Sequence, residues 1–143
     1  MQRPETGHPQ AVPPSKAILE ALAAGVPASR ITLSTDSGAA YPRLDAAGHT
    51  AGQYMPGPGS LLQTMRELVH NGLTWGHAVA FSTSHIADLL GLRQKGRIAE
   101  GCDADLVFLT EAGEVDRVYS RGRLLVEGNK PLVRGAFDGH DPA

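Results

Sequence analysis

The chain has 143 residues, of which 41% are hydrophobic and 20% charged, and its formal net charge is −2. That balance supplies no field to draw in nucleic acid or an anionic bilayer, and no apolar run is long enough to span a membrane, so neither is an expected partner. The single cysteine, Cys102, excludes an internal disulfide and a cysteine-rich zinc site, and the opening residues lead into no signal-peptide core, which together set the expectation of a cytoplasmic protein.

Residues 1–14 carry four prolines and little that is apolar, and read as an irregular lead-in. From Ser15 a helix is expected: Ser15 caps the first turn, Ile18, Leu19 and Leu22 share a face, and Gly25 ends it before Pro27. The segment Arg30-Ile31-Thr32-Leu33-Ser34-Thr35-Asp36-Ser37-Gly38 then reads as a short buried strand ending abruptly in a carboxylate and a glycine. Helix followed at once by strand is the rhythm of an α/β unit. In (β/α) barrels the chemistry sits at the C-terminal ends of the strands, so Asp36 is the candidate catalytic acid or base. A complete barrel takes about 250 residues, so any barrel here is partial.

Residues 37–59 form a Gly/Pro-rich loop longer than compact domains usually tolerate, and its place after Asp36 favours a lid. A helix is predicted from Ser60 to Val69, with Leu61, Leu62, Met65, Leu68 and Val69 at helical spacing and Asn71-Gly72 as its stop. Thr74 caps another through Phe81. Ser82 or Ser84 opens a last one, with Ile86, Leu89 and Leu90 buried and Gly91 at its end. The period then changes. Leu106 to Leu109, Val115 to Tyr119 and Leu124 to Val126 read as strands of a small antiparallel sheet, with turns at Arg121-Gly122 and Glu127-Gly128-Asn129. Arg117, Arg121, Arg123, Lys130 and Arg134 along it read as a solvated face rather than a binding patch.

The six histidines, His8, His49, His70, His77, His85 and His140, contain no pair at the one-residue strand spacing or four-residue helix spacing of metal ligands. His77 and His85 read as ordinary surface or core residues, and His49 as a loop histidine in solvent. Cys102 reads as a small packed or half-exposed residue and not as a nucleophile.

The stretch Gly96-Arg97-Ile98-Ala99-Glu100-Gly101-Cys102-Asp103-Ala104-Asp105-Leu106-Val107, preceded by a helix from Ser84 to Leu92 and followed by Val118-Tyr119-Ser120-Arg121-Gly122, resembles the C-terminal signature of the amidohydrolase superfamily. Gly96 and Gly101 would flank a tight turn, and Asp103 and Asp105 would bond turn amides before the strand begins. Within the superfamily, Ser15 to Asp36, the helix over 60–69 and the ending Lys130-Pro131-Leu132-Val133-Arg134-Gly135-Ala136-Phe137 are similar to the isoaspartyl dipeptidases. The resemblance covers residues 14–138 and corresponds to the last third or so of such an enzyme.

The resemblance implies an α/β fold in which residues 15–92 are the C-terminal fragment of a (β/α)8 barrel, its last strand and helices. Residues 93–138 would be strands of a small β-sandwich, and 139–143 a tail. It implies a binuclear metal-dependent hydrolase cleaving the β-aspartyl amide bond of isoaspartyl dipeptides, with two Zn2+ in the parent enzyme. A His-x-His pair, a carboxylated lysine, two further histidines and the last-strand Asp make up that family's centre, and only the Asp has a counterpart here, Asp36. It would pass a proton to the leaving amine, and is a candidate metal ligand in the parent enzyme only. This chain alone is expected to hold no metal and to be inactive. Where those dipeptidases carry a hydroxyl or thiol four residues past the Asp to hold the substrate's α-carboxylate, this chain has Ala40, which leaves Tyr41 and Arg43 as candidate substrate-binding donors. The expected partners are a small dipeptide and either the missing N-terminal barrel portion or another copy of the chain. The alternatives are a non-catalytic remnant or interaction module, and a subunit of a split amidohydrolase with another cyclic-amide or N-acyl substrate.

Overall fold

A computed structural model describes residues 12–55 and 57–133 and shows a mixed α/β chain with two antiparallel sheets. Helix α1 (Pro14–Ala23) begins with Pro14 in its first turn, where a missing N–H costs nothing. Ser15 is therefore not the cap that its position suggests. It lies inside the first turn, buried, and its hydroxyl donates to Glu67 Oε2 at 2.6 Å. At the other end Val26 N–H bonds Ala21 O and Gly25 N–H bonds Leu22 O, the paired bonds of a Schellman stop.

After a 3-10 turn at Ala28–Arg30 the chain leaves extended at Ile31 and runs through residues 32–35, in neither helix nor strand, to Asp36. The expected strand over Ile31 to Leu33 has no ladder: a parallel strand needs neighbours, and it pairs into neither sheet of the described residues. It is held instead by Leu33 N–H on Phe81 O (2.8 Å) and by His85 Nδ1 at 3.1 Å from Ile31 O.

The region expected to be an irregular loop contains a β-hairpin, β1 (Tyr41–Leu44) with β2 (Thr50–Tyr54). Tyr41 faces Tyr54 and Arg43 faces Gly52, with a bulge next to Leu44. Asp45 builds the turn: its Oδ1 accepts from the amides of Ala47 and His49, both at 2.9 Å, and its carbonyl from Gly48 at 3.0 Å. An Asp opening such a turn and a Gly closing it is a strong turn signal.

Helices α2 (Ser60–His70) and α3 (Trp75–Ala80) match expectation, and Thr74 Oγ1 caps α3 by accepting from His77 N–H at 3.3 Å. Helix α4 (Ser84–Leu89) is shorter than expected. Its buried residue is Ala87, whereas Leu89 and Leu90 are 72% and 64% exposed, so the expectation of buried leucines there fails. Ala87 is the face pressed against Gly96: a Cβ at residue 96 would lie 2.8 Å from the Ala87 Cβ and 2.7 Å from Thr83 O.

The core is helical. Ile18, Met65, Leu68, Ala78 and Phe81 form it, with Leu19, Leu22, Ile31, Leu33 and Leu61 packed around them. Beyond it β3 (Leu106–Leu109), β4 (Val115–Ser120), β5 (Arg123–Glu127) and the short β6 (Lys130–Pro131) form an antiparallel sheet in that order. Both expected turns are present, with positive φ at Arg121 and Gly122 and again at Gly128 and Asn129, the geometry of tight hairpins. Arg117 stays partly solvated, its side chain 43% exposed, while its guanidinium lies 4.9 Å over the Phe108 ring beside Asp116. Arg134 lies outside the described residues.

Among the described residues, side chains tie the sheet both to the helices and to the connection that leads from them. Arg66 Nε on α2 donates to Gly113 O at 2.8 Å, where the Trp75 ring also packs against the β3–β4 turn. In the α4–β3 connection, Lys95 pairs with Asp103 at 2.7 Å and with Asp105, and Asp105 Oδ1 accepts from Arg121 N–H at 2.8 Å. Asp105 thus bonds a turn amide, that of the β4–β5 turn, while Asp103 is engaged by the lysine and not by an amide.

Candidate functional site

Asp36 ends the extended segment with φ +50°, a left-handed conformation that Asp tolerates better than most residues. The Ala39 amide reaches back to its carbonyl at 3.3 Å, and Ser37 N–H bonds Thr35 Oγ1 at 3.1 Å, so the chain turns sharply at the carboxylate. The carboxylate is exposed, and its Oδ2 accepts a hydrogen bond from the Tyr41 hydroxyl at the start of β1. The Tyr41 ring is half-buried with its centroid 5.5 Å from that of Tyr54, across the hairpin.

The structure therefore brings two of the expected site residues, Asp36 and Tyr41, into contact. Arg43 sits two residues along β1, exposed and opposite Gly52, at the strand spacing that places it on the face of Tyr41. Ala40, next to Tyr41, is exposed and offers no polar side chain. The histidines do not converge on Asp36: His49 is in the hairpin turn 3.7 Å from Asp45 Oδ2, His70 ends α2, and His77 is exposed on α3. His85 faces Ile31 O and lies edge-on to Phe81, with ring centroids 5.6 Å apart. His8 and His140 lie outside the described residues, among which no group of three or more His, Cys, Asp or Glu is placed to hold a metal ion.

Sequence reasoning missed the Lys95 cluster, although a lysine followed by Asp103 and Asp105 across a glycine-rich turn was its signal. The lysine ammonium is pushed above its ordinary value, chiefly by the hydrogen bond to Asp103 and then by that to Asp105. The Asp105 carboxyl is held below its ordinary value by Lys95 first and the Arg121 amide second. Lys95, Asp103 and Arg121 line a shallow groove with Leu92 and Gln94, but their charges are spent on one another and the cluster works as a clamp.

A mixed α/β chain with a carboxylate at the end of an unpaired extended segment, followed by an antiparallel sheet, fits part of an amidohydrolase fold. The chain belongs to the amidohydrolase family, whose family model matches residues 11–125. It is 38% identical over 65 residues to imidazolonepropionase of Psychrobacter cryohalolentis, covering 46% of this chain and 15% of that protein. Among solved structures it is similar to beta-aspartyl dipeptidase from Fervidobacterium islandicum AW-1 in complex with beta-Asp-Leu dipeptide, with a TM-score of 0.76 and 26% identity over 86% of this chain. It is also similar to N-acetylglucosamine-6-phosphate deacetylase from Thermotoga maritima, with a TM-score of 0.55 and 25% identity over 71% of this chain. The chain spans 32% of the length of each of these two structures.

Proposed function

We propose that this chain is the C-terminal part of a binuclear metal-dependent amidohydrolase that cleaves the β-aspartyl amide bond of isoaspartyl dipeptides, with Asp36 as its proton-transferring carboxylate. The likeness to beta-aspartyl dipeptidase over 86% of the chain carries this reading. On it, residues 15–92 are the last strand and helices of a (β/α)8 barrel, and 93–138 are strands of a β-sandwich. The extended segment 31–36 is then a barrel strand whose neighbours belong to the rest of the protein.

Asp36 supplies one function on its own chemistry. Its carboxylate takes a proton from the attacking water as the new C–O bond forms, then gives it to the amine nitrogen as the C–N bond breaks. The described residues do not fit a centre for two zinc ions: Asp36 is a single carboxylate with one oxygen given to Tyr41, and no other metal-capable cluster accompanies it. The zinc-binding histidines of the family's centre therefore belong to the remaining two thirds of such an enzyme. The chain alone is inactive on this reading, its macromolecular partner is the missing barrel portion or a second copy, and its setting is cytoplasmic.

The test joins residues 12–143 behind the N-terminal two thirds of the Fervidobacterium enzyme. We expect the fusion to hydrolyse beta-Asp-Leu and Asp36→Asn to lower its kcat at least 100-fold, within the usual range for losing a general acid–base group. Near-normal turnover in the Asn variant would remove the proton-transfer role. A second reading keeps the family and changes the substrate to a cyclic amide or N-acyl group. Ala40 and the likeness to a deacetylase favour it, and a fusion that cleaves such amides while sparing beta-Asp-Leu would establish it. A fusion that folds and cleaves neither would leave a non-catalytic interaction module.

A further inference from the structure

We infer that Tyr41 is a positioning residue for Asp36: its phenol holds the carboxylate at the end of the extended segment and latches the β1–β2 hairpin to that end. The catalytic meaning rests on the proton-transfer reading of Asp36; the contact does not. Its geometry has three parts. Asp36 stands exposed at a left-handed turn, where nothing in its own backbone fixes the side chain. The turn closed by Ala39 N–H on Asp36 O brings the start of β1 back beside the carboxylate, so that the Tyr41 hydroxyl meets Oδ2. The Tyr41 ring is itself steadied by Tyr54, its register partner across the hairpin, with centroids 5.5 Å apart.

A tyrosine has few rotatable bonds, so a ring pinned by packing delivers its hydroxyl at a defined point, which is what a functional carboxylate needs from its support. The bond is charge-assisted and roughly twice as strong as a neutral one. It engages one carboxylate oxygen and leaves the other for proton transfer. It also makes the latch sensitive to the reaction. When Asp36 carries the proton in transit the acceptor is neutral and the bond weakens, and it recovers once the proton has passed to the leaving amine, so the carboxylate is held again before product departs. Tyr41, a candidate substrate donor on sequence grounds, thus acts through Asp36.

The chain as it stands decides the matter. With carboxyl-13C-labelled aspartate, the Asp36 resonance is the one lost in Asp36→Asn. We expect Tyr41→Phe, which keeps the ring on Tyr54, to move that resonance and leave the other aspartates in place. We also expect amide hydrogen exchange across residues 41–54 to run about tenfold faster in Tyr41→Phe, equally so in Asp36→Ala, and no faster in the double variant, since both remove one charge-assisted bond. An unmoved Asp36 resonance, or exchange effects that multiply in the double variant, overturns the inference. In the active fusion, Tyr41→Phe should lower kcat with KM within twofold; a raised KM at unchanged kcat would return Tyr41 to substrate binding. An inactive fusion counts against the proposed function alone, since the resonance and exchange still decide the contact.

Discussion

Gly96 shows how one residue can be set by two independent demands. Its φ of +73° is a region that side chains adopt at a cost, and a Cβ there would sit 2.7 Å from the Thr83 carbonyl oxygen and 2.8 Å from the Ala87 Cβ. Neither neighbour is the free end of a flexible side chain. Gly101, at φ +82°, has the first demand without the second, as nothing lies within 4 Å of its Cβ position. Gly101→Ala should therefore cost about 1–2 kcal/mol, the left-handed penalty alone, and Gly96→Ala about 2–5 kcal/mol from strain and overpacking together. Urea denaturation of the two variants tests this, and equal costs would mean that the α4–β3 connection yields at Gly96. Asp36 is the contrasting case, a non-glycine residue kept at positive φ where the proposed chemistry lies.

At the scale of elements, α1 and α2 are joined by one polar contact inside an apolar seam. Ser15 is buried, and removing its hydroxyl leaves Glu67 without that donor, so Ser15→Ala should destabilise by about 1–2 kcal/mol. A capping serine would cost a similar amount, but its loss would add to that of Glu67→Ala. The interhelix bond predicts instead that the double variant loses less than the sum, readable in a thermal double-mutant cycle. This contact also shows where sequence reading stops. Helices over 60–70 and 75–80 were legible because Leu61, Met65 and Leu68, and the Thr74 cap, write their pattern locally. The β3–β5 strands were legible for the same reason, each bounded by its own turn. Ser15 misled because a serine before an apolar face looks the same whether it faces the amides behind it or a helix 52 residues away. The hairpin was obscured by Pro42, Gly48 and Gly52, which read as breakers although Asp45 to Gly48 is a turn signal. Asp36 was singled out as a carboxylate before a glycine and a long loop, whereas its contact with Tyr41 depends on the path of the intervening turn, which residue types do not specify.

For the whole molecule, the Lys95 clamp ties the α4–β3 connection to the β4–β5 turn of the sheet. The Lys95 side chain is 36% exposed and that of Asp103 29%, so the clamp is partly solvated and salt weakens it. The folded-state value of Lys95 is raised, so its contribution is fully present below the ordinary lysine range and is lost as pH rises through the higher folded value. That of Asp105 is lowered, so its contribution is present above the ordinary carboxylate range and is lost as pH falls through the lower folded value. Lys95→Met should accordingly reduce stability by a steady amount across neutral pH, with the gap to the unmutated chain closing in acid and in strong alkali. Denaturant midpoints against pH would show this; a gap of constant size at every pH would mean that the lysine stem, not its charge, supports the connection.

Trp75, the sole tryptophan of the chain, lies where the β3–β4 turn meets the helices. Every strand of the sheet pairs with its neighbour in sequence, so the sheet asks for little loop closure and can form early, while its seating on α2 and α3 brings together residues far apart along the chain. Emission from that one indole therefore stays silent while the meander assembles by itself, and changes when the helical core closes around the ring and again when the β3–β4 turn seats on it.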